Sequence, residues 1–219
     1  MHVLSLLTEG NVNLCLAPGS ELLDKLDDQP DVVSHQFEGI HPAGLPGTHI
    51  HFIDPVSASK TVWYLNYQDV IAIGHLFLTD QIDSERVLSL AGPGAKEPKL
   101  LRTYLGGSLD DVTAGELFDG EQRIISGSVL SGRGAKEAAA FLGRYHLQVS
   151  VLPEDRRRKV AGWLSPGLRA HSVFPIYLSK WLGERNVDFS TAMASPRPIV
   201  PVGMYDEVMP MVILSMKQS

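Results

Sequence analysis

The stretch NVNLCLAPGSELLDKLDDQPDVVSHQF, residues 11–37, decides how the chain is read as a fold. Its first part, Asn11–Ala17, is a short apolar run with turn residues on both sides, the pattern of a buried strand. Pro18-Gly19 then turns the chain. Ser20 is placed to cap a short helix over Glu21–Leu26, and Glu21 sits in the first turn, where the positive end of the helix dipole favours an anion. Pro30 closes the unit, and Asp31–Phe37 reads as a second strand. Strand, helix and strand in this order predict part of a doubly wound, Rossmann-like α/β layer. Cys15 lies inside the first strand and reads as a buried strand thiol. It is the single cysteine of the chain, so no internal disulfide forms, which fits a reducing compartment.

Working outward, FEGIHPAGLPGTHIHF (Phe37–Phe52) packs three histidines, two prolines and three glycines into one short span. Pro46-Gly47 is the pairing a type II turn wants, since proline fixes φ near about −65° and glycine accepts φ > 0. Thr48 offers a hydroxyl as N-cap for the next element. The segment therefore reads as a rigid connection that presents His41, His49 and His51. Neutral imidazoles are common zinc ligands, and Glu38 and Asp54 flank the segment. If residues 49–51 are extended, the two rings share a face; if helical, they point apart. The competing reading is that the imidazoles donate to loop carbonyls, because a turn-rich segment leaves many backbone groups to satisfy.

Further on, Lys60–Leu65 (KTVWYL) is β-branched and aromatic and reads as a strand. Asn66 with Asp69 makes a start similar to a capping box for a helix over Tyr67–Leu78. The apolar positions of that helix cover most of its circumference, so it is expected to pack on several sides. Composition changes near Asp80–Ser84, and short strands with glycine turns come next: Arg86–Ala91, Leu100–Leu105 and Arg123–Val129, with Ser108 and Asp111 capping a short helix between them. This order is a β-grasp pattern. Tyr145–Leu152 alternates as a half-buried strand, with Tyr145, Leu147, Val149 and Val151 on one face, and Val160–Leu164 is expected to pair with it across Pro153–Lys159. Prolines 166, 175, 196, 198, 201 and 210 exclude long helices beyond, except Ile176–Leu182 closed by Gly183. The expected organisation is a Rossmann-like α/β part over 1–80, a β-grasp module over 81–152 and a proline-rich mixed C-terminal segment over 153–219: α/β and α+β in one chain.

At 219 residues, with 44% hydrophobic and 20% charged residues, the chain can bury a useful core. A net charge of −6 argues against nucleic acid as a partner. No run approaches the ~18 apolar residues of a transmembrane helix. MHVLSLLTEG lacks the basic start of a secretory signal, and Val3–Leu7 reads as the end of a helix closed by Gly10. The glycines of SGSVLSGRGA (Ser126–Ala135) fit neither a Walker loop nor G-x-G-x-x-G, and Pro93 removes an amide that an anion cradle at Gly92–Gly94 would need. There is no G-x-S-x-G elbow, and one cysteine cannot hold an iron–sulfur cluster. Asp27, Asp28 and Asp31 read as a solvated turn around Pro30. No catalytic, cofactor-binding or metal-binding residue is therefore assigned. Arg156, Arg157, Arg158 and Lys159 come after Glu154-Asp155 in an expected hairpin tip. They are a solvated turn, or a docking knob for an acidic partner or anionic headgroups at about 1 kcal/mol per basic residue.

Four motifs carry a family resemblance: FEGIHPAGLPGTHIHF, NYQDVIAIGHLF (Asn66–Phe77), RIISGSVLSG (Arg123–Gly132) and LGRYHLQVSVL (Leu142–Leu152). Together they resemble the A subunit of the sodium-translocating NADH:quinone reductase, over about residues 1–210. The resemblance implies a peripheral subunit on the cytoplasmic side of the bacterial inner membrane, in a complex that passes electrons from NADH through flavins and iron–sulfur centres to ubiquinone and exports Na+ through its membrane subunits. It also implies a fold similar to the flavoprotein of respiratory complex I, with a soluble-ligand-binding β-grasp module but without flavin or cluster. The flavin-binding relatives place a Gly-Glu-Glu type motif where this chain has His41–His49, so no flavin and no NADH are expected here. Family members continue before Met1 and after Val208–Pro210, where this chain reads VILSMKQS, so an internal start and a missing or divergent end are expected. The isolated chain is then not catalytic. His41, Pro42, Gly44, Gly47 and His49 would shape a surface for quinone or a partner subunit, and Arg156–Lys159 would dock. The alternatives are a stand-alone module for a small ligand, and a metal-dependent enzyme using His41, His49 and His51.

Overall fold

A computed structural model of the chain describes residues 1–22, 30–156, 166–168, 178–182 and 190–191. The chain divides into two compact units, Met1–Gln81 with Pro198–Ser219, and Ile82–Arg197. Among the described residues the fold is a mixture of α and β with a two-stranded and a five-stranded sheet.

In the first unit a single helical turn, α1 (His2–Ser5), precedes β1 (Val12–Leu16). β1 pairs in parallel with β2 (Val32–Gln36), in a register from Val12 opposite Val32 to Leu16 opposite Gln36. Parallel neighbours need a crossover between them. The helix expected over Glu21–Leu26 falls mostly on residues outside those described. Asn13 and His35 brace the pair, His35 Nε2 lying 3.0 Å from Asn13 Oδ1. Cys15 is half-buried rather than buried, because the two-stranded sheet covers it incompletely; what burial it has raises the thiol pKa.

Two helices come next, α2 (Pro46–Ile53) and α3 (Tyr67–Thr79). The strand expected over Lys60–Leu65 does not form: apart from an isolated bridge between Ser57 and Lys60, this segment is irregular, and Trp63 is 81% exposed. β-propensity reflects packing against neighbouring strands, and no strand among the described residues pairs with this one. α3 begins as its cap predicts, with Asn66 Oδ1 accepting the Gln68 amide at 3.0 Å, and ends at Asp80 in the left-handed region, φ 58°. Its packing departs from expectation. Tyr67, Ile71, Phe77 and Leu78 are exposed, while the buried residues of the helix are Gln68 and Asp69.

The second unit is built on β3 (Glu85–Ala91), β4 (Lys99–Tyr104), α4 (Leu109–Thr113), β5 (Gln122–Ser126), a short β6 (Arg133–Gly134) and β7 (Gln148–Pro153). The five-stranded sheet has the order β4-β3-β7-β5-β6. β3–β4, β5–β6 and β5–β7 are antiparallel, and β3–β7 is parallel. Ser108 Oγ caps α4 by accepting the Asp111 amide, as its position in sequence predicts. Leu109 of α4 joins Leu88, Leu90, Ala95, Leu142, Val149 and Val151 in one core.

β7 corrects a second expectation. Regular pairing starts at Gln148 rather than Tyr145, and Val149 to Leu152 are all buried, not alternately exposed. The strand sits between two others, so both of its edges are paired; Val149 and Val151 enter the core from one face, and on the other the buried Ser150 hydroxyl donates to the Gly127 carbonyl at 2.9 Å. Gly92 marks a close approach to it: φ is 122°, and a Cβ there would fall 2.2 Å from the Val151 carbonyl oxygen. The pairing expected for Val160–Leu164 lies outside the described residues; of the helix expected over Ile176–Leu182, a short α5 (Ser179–Leu182) is described.

Candidate functional site

The histidine segment folds as a loop closed onto the start of α2. Leu45 occupies the N-cap position with φ −87° and ψ 141°, and Pro46 takes the first helical position. Proline suits that place, since its fixed φ is helical and its missing amide would have no partner there. The expected type II turn at Pro46-Gly47 is therefore replaced by a helix start, and neither Gly44 nor Gly47 has a positive φ. Thr48 is not the cap. It lies inside α2, 4% exposed, and its hydroxyl donates to the Pro42 carbonyl at 3.0 Å. His49 Nε2–H donates to the Ala43 carbonyl at 2.8 Å, and its ring packs on Phe37 with centroids 4.2 Å apart. Two side chains of the helix thus hold the two carbonyls of the preceding loop.

Phe37, Pro42, Ala43, Thr48 and His49 are brought together in this way, whereas His41, Gly44 and Gly47 are exposed. The peptide between His41 and Pro42 is cis. His51 is also exposed and meets Phe52 edge-on, centroids 5.2 Å apart. Because both are helical, His49 and His51 point about 200° apart around the axis. The shared-face geometry that a metal reading required is lost, and the reading in which an imidazole donates to a loop carbonyl holds for His49. Among the described residues no group of three or more His, Cys, Asp or Glu could hold a metal ion.

Of the basic run, Arg156 is described, and Arg157, Arg158 and Lys159 lie outside the described residues. Arg156 grips the Glu121 carboxylate with Nε and Nη2, at 3.0 and 2.5 Å. Alongside, Arg123 makes a two-pronged pair with Glu154 at 2.8 and 2.7 Å, and the Thr191 hydroxyl donates to the same carboxylate at 2.8 Å. The hydrogen bond from Arg156 holds Glu121 below the usual carboxylate range, and that from Arg123 does the same for Glu154. Beside Arg123, an open cavity of about 310 Å³ is lined by Ile125, Val129, Gly132, Gly134 and Lys136.

A polar cluster that the sequence pattern does not signal lies at the end of β5. Ser126, fully buried, has its Oγ 2.8 Å from His146 Nδ1 and accepts the Gly143 amide at 2.9 Å. Burial, with the nearby Arg133 charge, lowers the His146 pKa. Gly127 makes room for the ring: a Cβ there would lie 3.1 Å from two of its atoms. The signal available in sequence was weak, because Ser126 and His146 are twenty residues apart and meet only through strand pairing.

No helix among the described residues is long and apolar enough to cross a membrane. Residues 1–82 match the family described as "NqrA second alpha/beta domain", and residues 87–137 match the "NQRA C-terminal domain". Proteins named as the A subunit of Na(+)-translocating NADH-quinone reductase are similar along nearly the whole chain. That of Marinomonas sp. is 52% identical over 98% of this chain and 47% of its own length. That of Saccharophagus degradans is 52% identical over 98% and 48%, and that of Klebsiella pneumoniae strain 342 is 51% identical over 98% and 48%. The chain thus spans about half the length of the curated relatives it matches. At this level of identity, and with both family descriptions in chain order, the chain belongs to the NqrA family, that of the A subunit of Na(+)-translocating NADH-quinone reductase.

Proposed function

We propose that the chain is part of a peripheral subunit of a sodium-translocating NADH:quinone reductase, on the cytoplasmic side of the membrane, and that it holds no redox carrier itself. Its work is to supply docking surface and a wall of the ubiquinone path; NADH, flavins and iron–sulfur centres are handled by the other subunits, and Na+ by those in the membrane. The observation that carries this is the 52% identity, across 98% of the chain, to a protein named as the A subunit. The parallel β1–β2 pair supports a Rossmann-like layer. The parallel β3–β7 pair set between two antiparallel partners supports a β-grasp module.

A quinone site needs apolar walls and one or two polar groups for the ring oxygens. Phe37 and the aliphatic loop supply the walls. His49, whose Nε2–H is committed to Ala43, presents in its neutral form an acceptor at Nδ1, suited to a quinol hydroxyl; exposed His41 supplies a donor. Arg156–Lys159 would face an acidic partner or anionic lipid, although Glu121 competes for Arg156. The test is photo-crosslinking of a quinone analogue to the intact complex. Label within residues 37–53 supports the quinone wall, and label confined to other subunits removes it, leaving docking. The second reading, a stand-alone module for a small ligand, draws on the cavity beside Arg123. Failure of the full-length subunit to co-purify with membrane subunits would favour it.

A further inference from the structure

The charges of this chain are unevenly placed. Residues 1–121 hold eighteen aspartates and glutamates against six lysines and arginines. Residues 122–153 hold four bases, Arg123, Arg133, Lys136 and Arg144, against one acid, Glu137. This basic stretch contains β5, β6, β7 and the two loops that join them. Charge asymmetry of this kind points to an anionic surface as partner, although the net charge of −6 conceals it.

Both loops end in exposed apolar side chains. Between β5 and β6, the Ser131 amide donates to Ser128 Oγ at 3.1 Å, the two hydroxyls lie 2.9 Å apart, and the Gly132 amide donates to the Ser128 carbonyl at 2.7 Å. The polar groups of the turn thus satisfy one another, and its apex is Val129 and Leu130, 58% and 84% exposed. Turns favour Gly, Pro, Asn, Asp and Ser, so aliphatic side chains at this apex serve no turn geometry. The loop before β7 lies alongside. The Gly143 amide and the His146 ring both bond to Ser126 Oγ, and Arg133 Nη2 donates to the Phe141 carbonyl at 2.9 Å. That bond is to a neutral group and leaves the Arg133 charge in place. The loop exposes Phe141 and Tyr145, with the Arg144 guanidinium 5.4 Å from the Tyr145 ring centroid.

We propose that these two loop tips seat on an anionic phospholipid bilayer. Val129 and Leu130 enter the acyl boundary, Tyr145 lies at headgroup level as amphipathic rings do, and Arg133 and Arg144 meet the phosphates with their stems along the apolar tips. Two features select lipid over a protein partner. The apolar groups stand on narrow tips, not on a broad face of the roughly 800 Å² per partner that a stable protein interface buries. The bases beside them complement the negative potential of an anionic leaflet. The tips lie at the Ser126–Val149 end of the β5–β7 pair, whereas Glu121 and Arg156 flank its Gln122–Pro153 end. The proposal therefore goes beyond the subunit reading and stands whether or not the chain lines a quinone path or docks through Arg156–Lys159.

The test is sedimentation of the chain with vesicles of phosphatidylglycerol and phosphatidylethanolamine. Binding is expected, weakening as salt is raised, with little to phosphatidylcholine vesicles. Arg133→Gln and Arg144→Gln are each expected to weaken it about fivefold, and Leu130→Gln at least about tenfold. Arg102→Gln and Leu100→Gln on β4, at the far edge of the sheet, leave it unchanged. Should a tip variant misfold by circular dichroism, a polarity-sensitive fluorophore on Leu130→Cys in a Cys15→Ser background decides, its emission shifting to the blue with the anionic vesicles. No binding, binding that survives all the tip variants, or no blue shift at residue 130 would overturn the proposal. So would loss with the charge variants alone, which marks a basic face that an acidic protein takes. A quinone label or membrane-subunit pull-down can fail without affecting any of these readouts.

Discussion

Buried Ser126 and half-buried His146 form a hydroxyl–imidazole pair, with Oγ and Nδ1 2.8 Å apart, that ties the loop after Phe141 to the end of β5. Ser126 also takes up the Gly143 amide, so one hydroxyl satisfies both an imidazole and a peptide group. With the hydroxyl donating, Nδ1 must be unprotonated; the imidazolium would present a hydrogen there instead.

Stability should therefore depend on pH through His146. Its folded pKa is lowered, first by burial and then by the Arg133 charge. The folded state then binds fewer protons than the unfolded state between the ordinary histidine value of about 6.5 and the folded value. Stability is full above that window and falls as pH drops through it. Urea midpoints from pH 8 to 5 check this, and His146→Asn, which keeps a polar atom near the Nδ1 position, is expected to flatten the slope over the histidine range. Ser126→Ala leaves the Gly143 amide without its acceptor and is expected to cost about 1–3 kcal/mol.

Thr48→Val replaces the hydroxyl that holds the Pro42 carbonyl with a methyl group of similar size. A loss of about 0.5–1.5 kcal/mol is expected. Faster hydrogen exchange at Ala43 and Leu45, whose amides bond to Ile40 and Pro42 carbonyls, would report the loosened loop. An unchanged melting temperature would show that the loop does not need this contact.

Leu45 stands at the N-cap of α2 with no side-chain acceptor, and its own side chain is exposed. Leu45→Asp supplies an acceptor for the first-turn amides and an anion at the positive end of the helix. A gain of about 1 kcal/mol in urea unfolding is expected.

The glycines of the chain are not equivalent. Gly92→Ala places a methyl against the Val151 carbonyl in a left-handed backbone, and should destabilise by about 2–4 kcal/mol. Gly44→Ala, where a Cβ meets nothing within 4 Å, should leave the melting temperature nearly unchanged. Equal effects at the two sites would contradict this backbone geometry.

What was legible in the sequence was whatever a few neighbouring residues determine. The caps at Asn66 and Ser108 and the runs of β1, β2, β3 and β4 depend on local pattern and turn chemistry, and these agree with the structure. Lys60–Leu65 shows the converse, since its strand-forming residues pair with no strand among the described residues. At Pro46 two local rules competed, turn against helix start, and the bonds from Thr48 and His49 back to the loop favour the helix. The burial of β7 on both faces and the Ser126–His146 contact depend on which distant segments come together, which no short window reveals. In the histidine segment the sequence could not separate His49, turned inward, from His41 and His51, left outside.

The position of β7 has a consequence for how the second unit comes into being during synthesis. The hairpin of β3 and β4 leaves the ribosome first, and β5 with β6 next, yet they share no hydrogen-bonded edge. The strand that joins them is the last of the five to emerge. Until then the nascent chain holds two halves with raw edges, and ribosome-bound chains halted before Gln148 should be digested readily by protease, whereas those extended well past Pro153 should resist it.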